Sequence, residues 1–488
     1  MTQETEQRAE REEERPDPDR WRVLGVTLTV GFMVLLDVTI VNVAIPSMRE
    51  GLGTGAGAIQ WVVSGYALAL GLMLVTGGRL GDAHGRRRMM LIGLAGFVLS
   101  SAAAGLAPSV VVLVAARLVQ GLSAGLLTPQ SSGLIQSLFR GPERGVAFGL
   151  FGLTVSVSSA IGPVLGGALI AAFGEDRGWR WIFLVNVPIG AVLLVAIARL
   201  VPGRQPSDGP PDSRLDLVGA VLLGLAVLTL LYPVVALESG QRLPLALLVL
   251  VPVLGLAFVR WERHVVRSHG APLLDLGLLR GTPGYASGIL VGSLYFTGFT
   301  GVFLVLSVYL QDGIGRSPLV AGLLLTPFAV GSAVASPLAG RLVSRVGRRL
   351  TVASLAVMML GVLAVALVVP AAERSPHLWL LLSVPLLVAG LGGGAVVSPN
   401  ITLSLDQVPT RMGGAAGGAL QMGQRIGAAI GAAVLMTAYQ VAVSATDDPG
   451  TALRWALGVS LVLLGSALCA AVWSWRHEPE TLTASGTH

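Results

Sequence analysis

The sequence predicts an all-α polytopic membrane protein of fourteen transmembrane helices, arranged as two six-helix bundles with two further helices inserted between them. Three observations carry this prediction. Hydrophobic types make up 53% of the 488 residues and charged types only 12%, more apolar surface than a soluble chain of this length can bury. Fourteen apolar runs come close to the roughly 20 residues that a helix needs to cross the hydrocarbon. Finally, the stretch Gly78–Arg88 recurs at Gly340–Leu350, with six of eleven positions identical at an offset of 262 residues. Each copy follows one apolar run and precedes another, as expected of two parallel halves that place the same basic turn on the same side of the bilayer.

The first bundle takes the runs at 23–46, 59–78, 89–107, 109–131, 146–171 and 181–200. The inserted pair takes 216–237 and 243–260, and the second bundle 285–310, 318–340, 350–370, 377–401, 413–442 and 451–475. Pro108 supplies the turn between the closely spaced third and fourth runs. Residues 2–20 mix Glu, Arg, Asp and Pro, which reads as a solvated tail too polar for a secretory signal. The Pro-, Asp- and Ser-rich segment 202–214 reads as a linker. The resulting division is a disordered cytoplasmic tail (1–21), an N-terminal bundle (22–201), a cytoplasmic linker (202–215), two inserted helices (216–260), a cytoplasmic loop (261–284), a C-terminal bundle (285–475) and a cytoplasmic tail (476–488).

All 33 basic residues are Arg. With the N-terminus in the cytoplasm, 24 of them fall inside, seven outside, and two, Arg117 and Arg425, within spans. This bias places both termini inside. The net charge of +6 is therefore a matter of membrane orientation, and no basic patch with interleaved aromatics suggests nucleic acid. The richness in Ala, Gly and Arg without Lys points to a GC-rich bacterial genome, and so to the bacterial cytoplasmic (inner) membrane.

Several function classes drop out. A phosphate-binding loop for ATP needs a Lys, which this chain does not contain. The six His residues (84, 264, 269, 377, 477 and 488) fall in loops or the tail on this map. No His, Cys or carboxylate cluster has metal-ligand spacing, and no carboxylate pair lies within a span. No enzyme activity, catalytic group, metal or cofactor is expected. The single cysteine, Cys469, precludes an intrachain disulfide and reads as packing. Coupling to an ion gradient, or facilitated diffusion, remains.

Ionisable groups at depth are few and costly, about 2.5–3.5 kcal/mol each at the centre of a membrane helix. Asp37 is the one acid that this map sets well inside a span, and Arg117 and Arg425 are the two bases. Asp37 lies nine residues before Pro46, and Arg117 nine after Pro108. At 1.5 Å per residue, both sit about 13 Å below the outer surface. Opposite charges at one depth can pair. The pair is either a clamp between helices or a site where Asp37 alternates between a proton, Arg117 and substrate.

These residues lie in motifs that resemble the major facilitator superfamily, specifically its fourteen-helix drug:proton antiporter branch. The segment Leu35–Pro46, containing Asp37 and Asn42, is similar to the branch signature L-D-x-T-x-V-N-V-A-x-P. The loop 78–91 resembles the gating motif G-x-L-x-D-x-x-G-R-R/K-x-x-L, through Gly78, Asp82, Gly85, Arg86 and Arg87. Arg117–Gly121, with Gln120, resembles the R-x-x-Q-G of the fourth helix. Gly162, Pro163, Gly166 and Gly167 fit the G-P-x-x-G-G of exporters, and Trp179–Gly190 a hallmark of the branch. The resemblance covers residues 21–475. It implies the major facilitator fold, alternating access, and export of amphipathic drugs or antibiotics in exchange for protons. It also implies proton coupling at Asp37 and Arg117, and a latch between the halves at Asp82 and Arg86.

Each motif has its own physics. Gly78 and Gly85 allow a tight turn, and Asp82 can sit near a helix N-terminus, whose dipole favours an anion. Arg86, Arg87 and Arg88 anchor the loop to water and anionic membrane lipid, and Glu143 is a candidate partner for Arg86. The second copy has Ser344 in place of Asp82, so the latch is asymmetric; the alternative is a plain positive-inside anchor. The small residues Gly152, Ser156, Ala160, Gly162 and Gly166, and later Gly423, Gly427 and Gly431, are spaced for close helix packing. A polar cavity is assigned to Asn42, Gln120, Gln421, Gln424 and Arg425, with Phe32, Met33, Tyr66, Tyr295, Phe296, Phe299 and Tyr309 facing either the lumen or lipid. Relatives that handle divalent cations often carry more acids in the second half, whereas spans nine to fourteen here have none at depth. The expected substrate is small, amphipathic, and neutral, zwitterionic, monocationic or anionic, handled by a monomer. A metabolite carrier of the same fold and a non-transporting scaffold or receptor are the alternatives.

Overall fold

Within lipid a backbone amide has no water to bond, so an apolar run satisfies its own groups as a helix. The computed structural model describes residues 18–203, 216–238, 243–268, 271–373 and 378–477. The tail to residue 17, the linker 204–215, the tail from 478, and Arg242, Arg374, His269 and His377 lie outside the described residues. The first bundle comprises α1 (Arg20–Gly51), α2 (Ala56–His84), α3 (Arg86–Gly105), α4 (Val110–Leu138), α5 (Gly141–Phe173) and one further span made of α6 (Glu175–Leu184) and α7 (Asn186–Leu200). The inserted pair is α8 (Leu217–Glu238) and α9 (Leu250–Arg267). A short α10 (Gly277–Gly281) leads into α11 (Tyr285–Val308), α12 (Pro318–Val346), α13 (Arg348–Glu373), α14 (Leu378–Leu405), α15 (Gly413–Thr446) and α16 (Pro449–His477). Among the described residues thirteen helices are long and apolar enough to cross a membrane, and Leu217–Pro233 adds a shorter fourteenth.

The internal repeat is a repeat of packing. In the first half α2 packs on α4, α3 on α4 and α1 on α5; in the second half α12 packs on α14, α13 on α14 and α11 on α15. Across the halves α5 meets α12 and α2 meets α15. The inserted α8 lies beside that second seam, touching both α2 and α15, with Trp61 against Tyr232 at 5.8 Å between ring centroids. Gly85 (φ 92°) and Gly347 (φ 61°) occupy equivalent turns in a backbone region that L side chains rarely adopt.

The structure corrects several sequence expectations. Cys469 is exposed on α16, so it is not a packing residue. His84 closes α2, His264 lies within α9 and His477 ends α16, so these three are helical and not in loops. Met33, Tyr66, Tyr295 and Tyr309 are buried among core side chains, facing neither a lumen nor lipid. Burial of acids is not confined to Asp37, and the two others lie near helix ends. The Asp82 side chain is 1% exposed and Glu262 0%. Glu262 lies one turn before the end of α9, which continues past the point where the sequence suggested a loop.

Candidate functional site

Five helix segments of the first half converge on Asp37. Its Oδ2 accepts a hydrogen bond from Arg117 Nη1 of α4. Its Oδ1 accepts from Gln120 Nε2 at 2.9 Å and from Asn186 Nδ2 of α7 at 3.0 Å. Arg117 spends its other donors on the Val62 carbonyl of α2 (2.9 Å) and on Gln120 Oε1 (2.8 Å). Gln120 Nε2 also reaches Ser101 Oγ of α3 (2.8 Å). The guanidinium lies 4.1 Å over the Tyr66 ring. Asp37 and Gln120 are fully buried, and Arg117 and Asn186 are 1% exposed. One acid and one base thus neutralise each other in a closed polar cluster, the condition under which a buried pair is tolerated.

This geometry sorts the sequence candidates. Asp37 and Arg117 are brought together. Gln120, expected in the cavity, is sealed beside them, whereas Asn42, also expected there, is exposed on α1. Asn186 and Ser101 were missed as site residues. Asn186 stood within the branch hallmark Trp179–Gly190 as its one polar amide, which was the available signal. Ser101 carried none, because a serine among alanines in an apolar run also reads as small-residue packing.

The α5 motif touches the same region. A Cβ on Gly162 would meet Thr39 Oγ1 at 2.0 Å, and one on Gly166 would meet Ile40. Thr39, two residues from Asp37, donates to the Ser158 carbonyl at 3.2 Å. Pro163 is exposed, and a Cβ on Gly167 would meet nothing within 4 Å. Close packing of α5 on α1 explains the first two of these positions.

The repeat places chemically different groups at equivalent places. Phe299 stands 262 residues after Asp37, and Phe328 stands 262 after Tyr66. In the second half these two rings stack at 5.4 Å and line an apolar cavity with Phe303, Met358, Leu386 and Leu457. The charged cluster therefore belongs to the first half alone.

The gating loop forms a second site. Asp82 accepts from the backbone N–H groups of Gly414 (3.0 Å) and Ala415 (2.8 Å), at the start of α15. A carboxylate is favoured there because the N-terminal amides of a helix lack intrahelical acceptors. Arg86 Nη2 donates to Asp82 Oδ1 (3.3 Å) and to the Thr410 carbonyl (2.6 Å). Nearby, Gln136 donates to the Leu405 and Val408 carbonyls (2.9 and 2.6 Å), and Arg144 pairs with Asp406 (3.4 Å). These bonds tie the two halves on the gating-loop side. Three expectations change here. Glu143 pairs with Arg20 (3.1 Å), not with Arg86. Gly78 makes no turn: it lies within α2, and a Cβ there would meet the Gly414 carbonyl at 2.2 Å. Arg87 donates to the Ala198 carbonyl of α7, within its own half.

The other seam is equally tight, since a Cβ on Gly145 would stand 2.3 Å from the Gly340 carbonyl. Gly145→Val is expected to disfavour closure by about 1–3 kcal/mol, as overpacking does. Ser336, fully buried and bonded to the Gly149 carbonyl, provides the readout. Ser336→Cys in a Cys469→Ser background should gain maleimide reactivity when Gly145 is replaced. Equal protection in both backgrounds would show that this seam does not open.

In the second half, Gly423, Gly427 and Gly431 pack on α11, where a Cβ would meet Ser293 or Thr297. Gln421 Nε2 crosses to Ser132 Oγ of α4 at 2.9 Å. Gln424 borders α11, 3.6 Å from where a Cβ on Gly292 would lie. Arg425 is half-buried and has Tyr66 as its ionisable neighbour, the Tyr66 hydroxyl itself donating to the Val34 carbonyl at 3.5 Å. Gln421 and Arg425, one turn apart on α15, thus share the helix face turned to the seam between the halves.

A family model described as the Major Facilitator Superfamily matches residues 27–432 and 288–488. The "Probable actinorhodin transporter" of Streptomyces coelicolor is 36% identical over 454 residues, 91% of this chain and 78% of that protein. The "Puromycin resistance protein pur8" of Streptomyces alboniger is 37% identical over 443 residues, 89% of this chain and 85% of that protein. Among solved structures, the proton:xylose symporter XylE bound to 6-bromo-6-deoxy-D-glucose superposes with a TM-score of 0.66, covering 95% of this chain and 96% of that one at 17% identity. That likeness is one of fold.

Proposed function

The chain belongs to the Major Facilitator Superfamily, and from that membership we propose that it exports amphipathic drugs or antibiotics across a bacterial cytoplasmic membrane in exchange for protons, by alternating access. The relatives named for actinorhodin and puromycin support an antibiotic cargo. The observation that carries proton coupling is the sealed Asp37, whose charge is offset by a single base. A proton on Asp37 removes the charge that holds Arg117. Arg117 then keeps its bonds to Val62 and Gln120, while α1 and α4 lose their ionic tie. Asn186 and Gln120, both donating to Oδ1, hold the Asp37 carboxyl group in place whether or not it is protonated. Asp82 on the start of α15 keeps the gating-loop side closed, and its release opens that side in the cycle. The chain acts alone, with Arg88 and the neighbouring exposed arginines against anionic lipid.

Two experiments test this reading. Inside-out vesicles energised with a proton gradient should accumulate puromycin or another member of an antibiotic panel, and dissipating the gradient should stop it. Accumulation in right-side-out vesicles instead would establish a metabolite-type importer, and no flux in either would leave a scaffold. Orientation is read separately: cytoplasmic reporters fused after Arg204 and Arg267 should be active, and one after Gly240 inactive. Any reversal among the three overturns the placement of both termini inside.

A further inference from the structure

Arg425 is a charge at membrane depth that its own fold, among the described residues, leaves unanswered. It lies twelve residues past Gly413, where Asp82 caps α15. At 1.5 Å per residue this is about 18 Å along the helix, near the centre of a hydrocarbon core about 30 Å thick and far from any lipid headgroup. Among the described residues Arg425 has no hydrogen bond and no carboxylate partner; the ionisable side chain that acts on it is Tyr66. Asp37, the acid at depth on the facing half, is already held by Arg117, Gln120 and Asn186.

The orientation of Arg425 follows from its helix. Gln421, one turn earlier on the same face, crosses to Ser132 of the other half, so Arg425 faces the seam between the halves. Met422 and Ile426 point elsewhere, packing with the α8 residues Val227 and Leu231. Arg425 also keeps accessible surface, in contrast to the sealed Arg117. A guanidinium at this depth is costly, and such groups are otherwise paired. One that faces an inter-half seam unpaired is suited to a partner that arrives from outside the chain.

We propose that Arg425 is the anion-recognising group of the transport site, and that the substrates are amphipathic organic anions whose carboxylate or comparable oxyanion docks on it. A planar guanidinium matches such a group through two parallel N–H donors. Tyr66, the ionisable neighbour of Arg425, lies with its ring against Arg117 and donates its hydroxyl to the Val34 carbonyl at 3.5 Å. A single aromatic side chain therefore separates the bound anion from the Asp37 cluster. This assignment rests on the export reading but is separable from it by binding.

The test uses 1-pyrenebutyrate and its trimethylammonium counterpart, which share an aromatic body and differ in charge. Binding to the purified full-length protein is followed by energy transfer from tryptophan to pyrene, and export by flux in energised inside-out vesicles. The wild type should bind the anion more tightly than the cation by about tenfold or more, Arg425→Gln should lose that margin, and Arg425→Lys should keep part of it. Because Arg425→Gln removes an unpaired charge, its Tm should equal or exceed that of the wild type. A structural arginine would instead lower Tm in the Gln variant and weaken both probes together, and that result overturns the assignment. So does absent anion binding, a preference for the cation, or unchanged anion affinity in Arg425→Gln. Arg425-dependent anion binding without flux of either probe or of the antibiotic panel would remove the export reading and leave the anion site standing.

Discussion

Asp37→Asn is expected to abolish substrate-induced proton release in proteoliposomes and to lower stability by about 3 kcal/mol, the lower end of what breaking a buried ion pair costs. Asp37 accepts from Arg117, Gln120 and Asn186 at once. An amide has a single acceptor oxygen and turns its NH₂ toward one of those donors, leaving Arg117 charged, buried and unanswered. Arg117→Ala should fail for the converse reason. Arg117→Lys should also transport poorly, because an ammonium cannot reproduce the bonds to Val62 and Gln120 or the stacking on Tyr66. The double variant Asp37→Leu with Arg117→Met separates stability from coupling: it should recover most of the stability and none of the proton movement. Undiminished proton release in Asp37→Asn would exclude Asp37 as the carrier. Attention would then pass to Glu262, a buried carboxylate that lies near Asp216 between the inserted helices.

Asp82→Asn should leave expression largely intact and slow transport by about tenfold or more, since hydrogen bonds to a charged group are worth about 1.5–3 kcal/mol each. The carboxylate receives two backbone N–H groups of α15 and pairs with Arg86, and all three contacts join or brace the two halves. The amide cannot accept at both positions and carries no charge for the helix N-terminus to stabilise. The closed state on that side therefore loses population while each bundle remains packed. Measured as antibiotic flux in vesicles at matched protein level, a wild-type rate would reduce the loop to a lipid anchor. Ser344→Asp in the second copy should not compensate, because Ser344 is placed against its own Arg341 carbonyl and not at a helix start.

Much of the architecture was legible because a bilayer imposes one-dimensional rules. Span length, loop charge and the recurrence of the basic turn are properties of the chain alone, and they yielded the two bundles, the inserted pair and the gating loop. The common depth of Asp37 and Arg117 was also readable, since a helix converts residue count into height. Height is not direction. In water the apolar stripe of a helix reveals which face is inward, but in lipid both faces are apolar and helix association has no hydrophobic driving force. The sequence therefore could not say that Gln120 turns toward Asp37 while Asn42 stays exposed, or that Cys469 is exposed.

By itself, then, the sequence determined which segments are long and apolar enough to cross the membrane, that Asp37 and Arg117 lie at a common height, and that the two halves are copies with unequal chemistry. The tertiary structure alone decided the lateral arrangement. It set Asn186 and Ser101 into the Asp37 cluster, turned Gly78 from a turn residue into a contact with Gly414, gave Glu143 to Arg20 in place of Arg86, and left Arg425 facing Tyr66 without a carboxylate. Each of these depends on rotation of a helix about its own axis. Van der Waals fit and buried hydrogen bonds among several helices fix that rotation together, and no local pattern along the chain encodes it.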